Sequence, residues 1–173
     1  MLTLKGYLSH KIYPMEKVAV FPGSFDPFTV GHESIVLRGL SLFDKIIIAV
    51  GFNANKKSFF SIEQRLAIIS KVFEHEPRIE VISYEGLTVD LCKRINVFYI
   101  LRGLRTSDDF EFERAIGQVN KAMLHEVESV FFLTAPEHSF INSTVIRDIL
   151  QHNGDPSQFL PQSININDYL PRL

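Results

Sequence analysis

The sequence predicts an α/β fold in which a five-stranded parallel sheet is covered by helices on both faces. Two observations carry this. Five short runs rich in Val, Ile and Phe recur along the chain, most of them apolar at successive positions, as strands buried on both faces require. Stretches of helical periodicity lie between the runs, and strand–helix–strand order implies right-handed βαβ units in an open, doubly wound sheet. A length of 173 residues suits one compact domain, Rossmann-like in layout.

The strand-like runs are Val18–Phe21, Lys45–Val50, Ile79–Ser83, Val97–Leu101 and Ser129–Leu133. Ser61 and Gln64 have capping-box spacing, and Ile62, Leu66, Ile69 and Phe73 then recur on one helical face. Cys92, set among Val89, Leu91 and Ile95, reads as a small apolar filler on a further helix. Ser107 or Asp108 is placed to cap a helix running through Ala115 to Leu124, with Phe112, Ile116 and Val119 as its buried stripe. Ser143 is placed to cap a short helix ending near Gln151, with Gly154 as its stop.

Composition narrows the function classes. Eighteen Lys and Arg against twenty Asp and Glu leave a formal charge of −2, so no bulk electrostatic case for nucleic acid exists. A phosphate ligand must be held by a local cluster. One cysteine forms neither an internal disulfide nor a CxxC metal site. The longest apolar run, Ile46 to Val50, is too short to span a membrane, and residues 1–14 hold no continuous signal-peptide core. A reducing, cytoplasmic setting without membrane attachment is the expectation.

The unusual polar residues follow four of the five strands, where ligands of such folds bind. They are Pro22 through His32, Phe52 through Lys57, Arg102-Gly103-Leu104-Arg105, and Thr134 through Thr144. In the first loop, Gly23 can take backbone angles closed to other residues, and Gly31 lets a phosphate approach the chain. The amides of the helical turn at His32 favour an anion, and His32 adds a donor. Alone, a Gly-His pair reads as a tight turn with a surface histidine. Arg102 and Arg105 have a competing reading as a structural network with Glu111 or Asp109, Glu113 as a helix-surface carboxylate, and Lys57 as a solvated lysine.

The combined spacing is more specific. Gly23-Ser24-Phe25-Asp26-Pro27 followed by Thr29-Val30-Gly31-His32 resembles the T/HxGH signature of the nucleotidyltransferase superfamily. It is neither a Walker loop nor GxGxxG. Arg102-Gly103-Leu104-Arg105, then Asp109-Phe110-Glu111 and Glu113, resembles the RGLR…DFExE block of phosphopantetheine adenylyltransferases. Ser139-Phe140-Ile141-Asn142-Ser143-Thr144 is similar to that family's SFISSS segment, and the likeness runs from about Lys17 to Pro161.

The resemblance implies transfer of the adenylyl group of ATP to 4′-phosphopantetheine, giving dephospho-coenzyme A and pyrophosphate. It gives His32 the role of transition-state stabiliser, and places Lys56 on phosphate near the reacting centre. Ser24 would contact both substrates, and Arg102 would hold the incoming phosphopantetheine. Thr88 stands where the family contacts the pantetheine arm, at a variable position. Phe25, Gly103, Leu104, Arg105, Glu113 and the segment His138, Ser139, Phe140, Ile141, Asn142, Ser143, Thr144 would line the ATP site. Asn142 departs from a usual serine, and His138 stands where many relatives carry an aromatic.

The same resemblance implies Mg²⁺ carried by the triphosphate, no protein metal ligands, coenzyme A as a candidate feedback inhibitor, and a homohexamer. It also puts the native start at Met15, with 1–14 as an upstream extension, natural or added, and 15–161 as the domain, while the composition of 162–173 reads as a C-terminal tail packed on or trailing that domain. Rival readings are a cytidylyltransferase or a nicotinate mononucleotide adenylyltransferase, against which the RGLR block and the length argue. A class I aminoacyl-tRNA synthetase would need a KMSKS-like segment. A non-catalytic nucleotide sensor would need neither His32 nor Lys56.

Overall fold

The computed structural model describes residues 16–52 and 57–170. Its elements run β1 (Val18–Gly23), α1 (Val30–Gly39), β2 (Lys45–Phe52), α2 (Ile62–Val72) and β3 (Ile79–Glu85). They continue with α3 (Thr88–Ile95), β4 (Tyr99–Leu104), α4 (Ser107–Met123), β5 (Glu128–Leu133) and α5 (Ser143–Gln151). The strands form one parallel sheet in the order β3-β2-β1-β4-β5. The chain therefore winds outward one way from β1, then returns to its other side with β4.

Alternation along the strands builds two cores. Ala19 and Phe21 of β1, with Ile46 and Ile48 of β2, bury against Ile35 and Val36 of α1, Ile68 and Ile69 of α2 and Ile146 of α5. Val20, Ile47, Ala49 and Ile100 point the other way, onto Val89, Leu91 and Cys92 of α3. Cys92 is fully buried, and burial pushes its thiol up to about 11, so it is an inert filler.

Several boundaries differ from the expectation, each for a local reason. β4 does not end at Leu101. Arg102, Gly103 and Leu104 stay paired with Phe131, Phe132 and Leu133, so Arg102 stands on a strand rather than in a loop. The cap of α4 is Thr106, whose hydroxyl accepts from the Asp109 amide, and not Ser107 or Asp108. The cap of α5 is Asn142, whose Oδ1 accepts from the Val145 amide, while Ser143 is the first helical residue. At the end of α5 it is Asn153 that takes the left-handed conformation, φ 56°, and the Gly154 amide then closes onto the Ile149 carbonyl.

The predicted stripe of α4 is not buried. Phe112 is 67% and Val119 57% exposed, while Ile116 is half-buried and faces the sheet beside Ile100 and Ser129. Of the two arrangements expected for the segment after Pro161, the described residues take the packed one: Ile164 and Ile166 enter the first core, and Gln64 Nε2 donates to the Tyr169 carbonyl.

The sheet opens where the site lies. β1 pairs β4 only at Ala19↔Tyr99 and Val20↔Ile100, whereas β1 and β2 pair from Val18 to Gly23. Beyond Val20 the two central strands part, and Pro22 has no N–H with which to continue the ladder. The guanidinium of Arg102 fills the gap by donating to the Pro22 carbonyl at 2.7 Å. This is the crevice at the topological switch point, where doubly wound folds take ligands.

Candidate active site

The first loop is held by side chains of α2 and α5 and by backbone amides of a third segment. Asp26 is buried, and its carboxylate accepts from the amides of Phe59 and Phe60, both at 2.8 Å. Arg147 of α5 donates to the Asp26 carbonyl at 2.6 Å, and the Ser143 hydroxyl donates to the Pro27 carbonyl at 2.8 Å. Arg65 of α2, 4% exposed, donates to the carbonyls of Ser24 at 2.8 Å, Gly51 at 3.3 Å and Ser61 at 3.4 Å.

Gly23 is needed for a reason other than the expected one. Its φ is ordinary, but a Cβ there would stand 2.7 Å from the ring of Phe25. The positive φ of the loop, 46°, belongs to Phe25 itself, a strained conformation for a large residue. The ring compensates by packing. It lies 5.1 Å from His32 edge-on, 5.3 Å from Phe21 and 5.4 Å from Phe28.

Thr29 caps α1 in a reciprocal arrangement with His32 at the third helical position. The backbone N–H of Thr29 donates to His32 Nδ1 at 3.1 Å, and the Thr29 hydroxyl lies 3.0 Å from the same atom. An N–H cannot accept, so Nδ1 carries no proton, and the neutral ring presents its proton on Nε2. Burial in the aromatic cluster, then the charges of Arg105 and Arg102, pushes the imidazole down to about 4. His32 is a neutral donor near pH 7.

Facing it are the two arginines of β4 and its end. Arg102 binds Glu113 of α4 bidentately through Nε and Nη2. Arg105 binds Asp109 through Nε at 3.0 Å and Nη2 at 3.3 Å. Burial raises the Asp109 carboxyl, but its hydrogen bonds with Arg105 outweigh that and hold it below its ordinary value. The network expected as an alternative to ligand roles therefore exists, with Glu113 as the partner of Arg102 and Glu111 turned out to Arg114.

A cleft of ≈ 340 Å³ gathers Ser24, Phe25, His32, Arg102, Gly103, Arg105, Glu113, His138, Ile141, Asn142, Ser143 and Thr144 of the predicted residues. Leu104, buried at the end of β4, and Ser139 and Phe140 are not among its lining residues. Phe140 is 66% exposed and packs against Phe159 instead. Lys56 lies outside the described residues, as does Met15. The cleft is also lined by Thr29, Asp109 and Thr134, which the sequence placed in motifs and loops without giving them a site role.

A second chamber of ≈ 240 Å³ shares Pro22, Gly23, Ser24, Arg102 and Glu113 with the cleft. Its far wall holds Thr88, whose hydroxyl lies 2.9 Å from that of Tyr84, together with Asn120 and Ser129. The resemblance assigns Thr88, whereas no local pattern marks Tyr84, Asn120 or Ser129, and only the fold brings the four together. Arg65 had a faint signal, as a lone arginine among the apolar positions of α2.

Fold and site together define a nucleotidyltransferase. The cytidylyltransferase-like family matches residues 20–149. A bifunctional NMN adenylyltransferase/ADP ribose pyrophosphatase from Francisella tularensis shares the fold, with a TM-score of 0.68 at 17% identity over 88% of this chain and 47% of its own. Curated relatives are nearer. The phosphopantetheine adenylyltransferase of Flavobacterium johnsoniae is 51% identical over 148 residues, 86% of this chain and 97% of that protein. That of Cytophaga hutchinsonii is 47% identical over 150 residues, 87% of this chain and 100% of its own. The chain belongs to the phosphopantetheine adenylyltransferase family.

Proposed function

We propose that the cleft transfers the adenylyl group of ATP to 4′-phosphopantetheine, reversibly giving dephospho-coenzyme A and pyrophosphate, by direct in-line attack without a covalent intermediate. The supporting observation is the pair of chambers joined at Ser24 and Arg102. ATP occupies the larger, beside His32 and the α5 N-terminus. The uncharged arm of the acceptor occupies the smaller, whose far wall offers neutral hydrogen-bonding groups. The two reacting phosphates then meet at the junction.

Charge builds on the equatorial oxygens of the α-phosphorus during transfer, so catalysis is chiefly positioning plus preorganised donors. His32 supplies Nε2–H without first losing or gaining a proton. Arg102 grips the acceptor phosphate, Arg105 the nucleotide phosphates, and Lys56 joins them from the loop after β2. Mg²⁺ arrives on the triphosphate and neutralises its charge, held by substrate oxygens and water. The carboxylates of the cleft suit that reading, since Asp109 and Glu113 are engaged by arginines.

The exposed apolar face of α4, with Phe112, Val119 and Met123, supports assembly with further copies of the chain, and a homohexamer is the assembly of this reading. Coenzyme A as feedback inhibitor and a cytoplasmic setting complete this reading.

ATP made chiral at the α-phosphorus tests the central step. A single in-line displacement inverts configuration in the dephospho-coenzyme A formed. Retention would require a covalent adenylyl intermediate and would overturn this mechanism. Parallel assays with nicotinamide mononucleotide as acceptor and CTP as donor should give no turnover.

A further inference from the structure

Behind the first loop lies a third cavity of ≈ 440 Å³ between the loop, α2, α5 and residues 57–59, which meets the second chamber at Ser24 and Gly51. It touches the reaction cleft at one residue, Ser24. Three cationic side chains line it, Lys57, Arg65 and Arg147, against one carboxylate, Asp26, whose two oxygens already accept from the amides of Phe59 and Phe60.

Arg65 is the unusual member. It is 4% exposed, yet no carboxylate comes within salt-bridge distance of it among the described residues. Its Nε and Nη1 donate to three backbone carbonyls, those of Ser61, Ser24 and Gly51. Nη2 has no partner among the described residues, and no fully enclosed side-chain nitrogen or oxygen there lacks one, so Nη2 opens on the cavity. The charges of Asp26 and Glu63 act on this guanidinium without touching it and offset only part of the cost of its burial, and an anion in the cavity would offset more. Arg147, though it also ties the Asp26 carbonyl and the Thr144 hydroxyl, adds a second charge, and exposed Lys57 a third at the rim.

We propose that this cavity is a second anion subsite, separate from the reaction cleft, that binds a phosphate or pyrophosphate group on Arg65, Arg147 and Lys57. Two sources share that chemistry. One is the pyrophosphate leaving the cleft past Ser24. The other is a phosphate borne by a separate ligand arriving from solvent. The proposal goes beyond the adenylyl-transfer reading and uses it only to choose a blocking nucleotide.

The test is calorimetric titration of the full chain with inorganic pyrophosphate, and separately with orthophosphate, while α,β-methylene-ATP saturates the cleft. One pyrophosphate per chain should still bind. Lys57→Gln and Arg147→Gln should each weaken it roughly tenfold, as loss of a charge-assisted contact does. Lys57→Gln should keep wild-type turnover of ATP with 4′-phosphopantetheine when no pyrophosphate is added, which reports on the main site independently. Weaker product inhibition by pyrophosphate in that variant assigns the subsite to the leaving group. Unchanged product inhibition with orthophosphate bound equally well assigns it to a separate ligand. Absence of binding once the nucleotide analogue is present, or binding that neither substitution weakens, overturns the proposal.

Discussion

The Thr29 amide donates to Nδ1 of His32 across 3.1 Å, and this contact fixes which proton the histidine offers. The same bond caps α1 and aims Nε2 away from the helix. One capping box thus serves folding and, in the proposed mechanism, catalysis.

The imidazole should accordingly stay neutral well into acid. Its folded value of about 4 lies below the ordinary 6.5. Between those limits the unfolded chain binds more protons than the native one, so His32 costs stability as pH falls from about 6.5 to about 4 and contributes nothing to pH dependence above that window. Nitrogen NMR of selectively labelled histidine should show the Nε2–H tautomer at pH 6. A doubly protonated ring at that pH would remove the neutral donor from the account.

His32→Ala should slow turnover by two to three decades, about 3–4 kcal/mol, as loss of one transition-state donor does. The ATP dissociation constant should stay nearly the same. Measuring kcat and that constant side by side separates catalysis from binding, and an unchanged kcat would dismiss His32 from the chemistry.

The two arginine pairs should report on different substrates. Arg102, at the junction of the chambers, should weaken chiefly 4′-phosphopantetheine when replaced by alanine, and Arg105 chiefly ATP. Arg→Lys at either position should still impair function, because lysine cannot reproduce the forked contact with Glu113 or Asp109. Equal loss for both substrates in both variants would favour a purely structural network.

Gly23→Ala should destabilise the fold by about 1–3 kcal/mol, since its methyl would meet the Phe25 ring at 2.7 Å and the ring is wedged against His32. Chemical denaturation measures this, and the paired variant Gly23→Ala/Phe25→Leu should recover part of the loss. A stability matching wild type would show that the ring moves freely.

What the sequence made legible follows from how local each signal is. Buried parallel strands announce themselves as apolar runs, and three of the four polar loops after them meet at the cleft, while most of the loop after β2 lies outside the described residues. Strand ends were less legible, because Arg102 and Gly103 look like loop residues until pairing with Phe131 and Phe132 holds them in β4. Caps slipped by one residue wherever two candidates stood side by side, as at Thr106 and Ser107. The stripe on α4 carries helical periodicity whatever covers it, so periodicity alone could not tell a core face from an exposed one. Arg65 bonds carbonyls far along the chain, and Tyr84 and Asn120 line the second chamber with residues distant in sequence, so only the folded chain assembles them.

The most direct test of adenylyl transfer by unaided phosphate attack compares two acceptors. The carboxylates that approach the cleft are engaged: Asp109 by Arg105, Glu113 by Arg102, and Asp26 by the Phe59 and Phe60 amides. His32, with Nδ1 already accepting from Thr29, is a donor rather than a base. None of these groups is free to take a proton from an alcohol. A phosphate monoester needs none, being ionised near neutral pH. Pyrophosphate release should therefore be brisk with 4′-phosphopantetheine and essentially absent with pantetheine, at equal ATP and Mg²⁺ and saturating acceptor. Comparable turnover with pantetheine would reveal a general base in the site and contradict the mechanism.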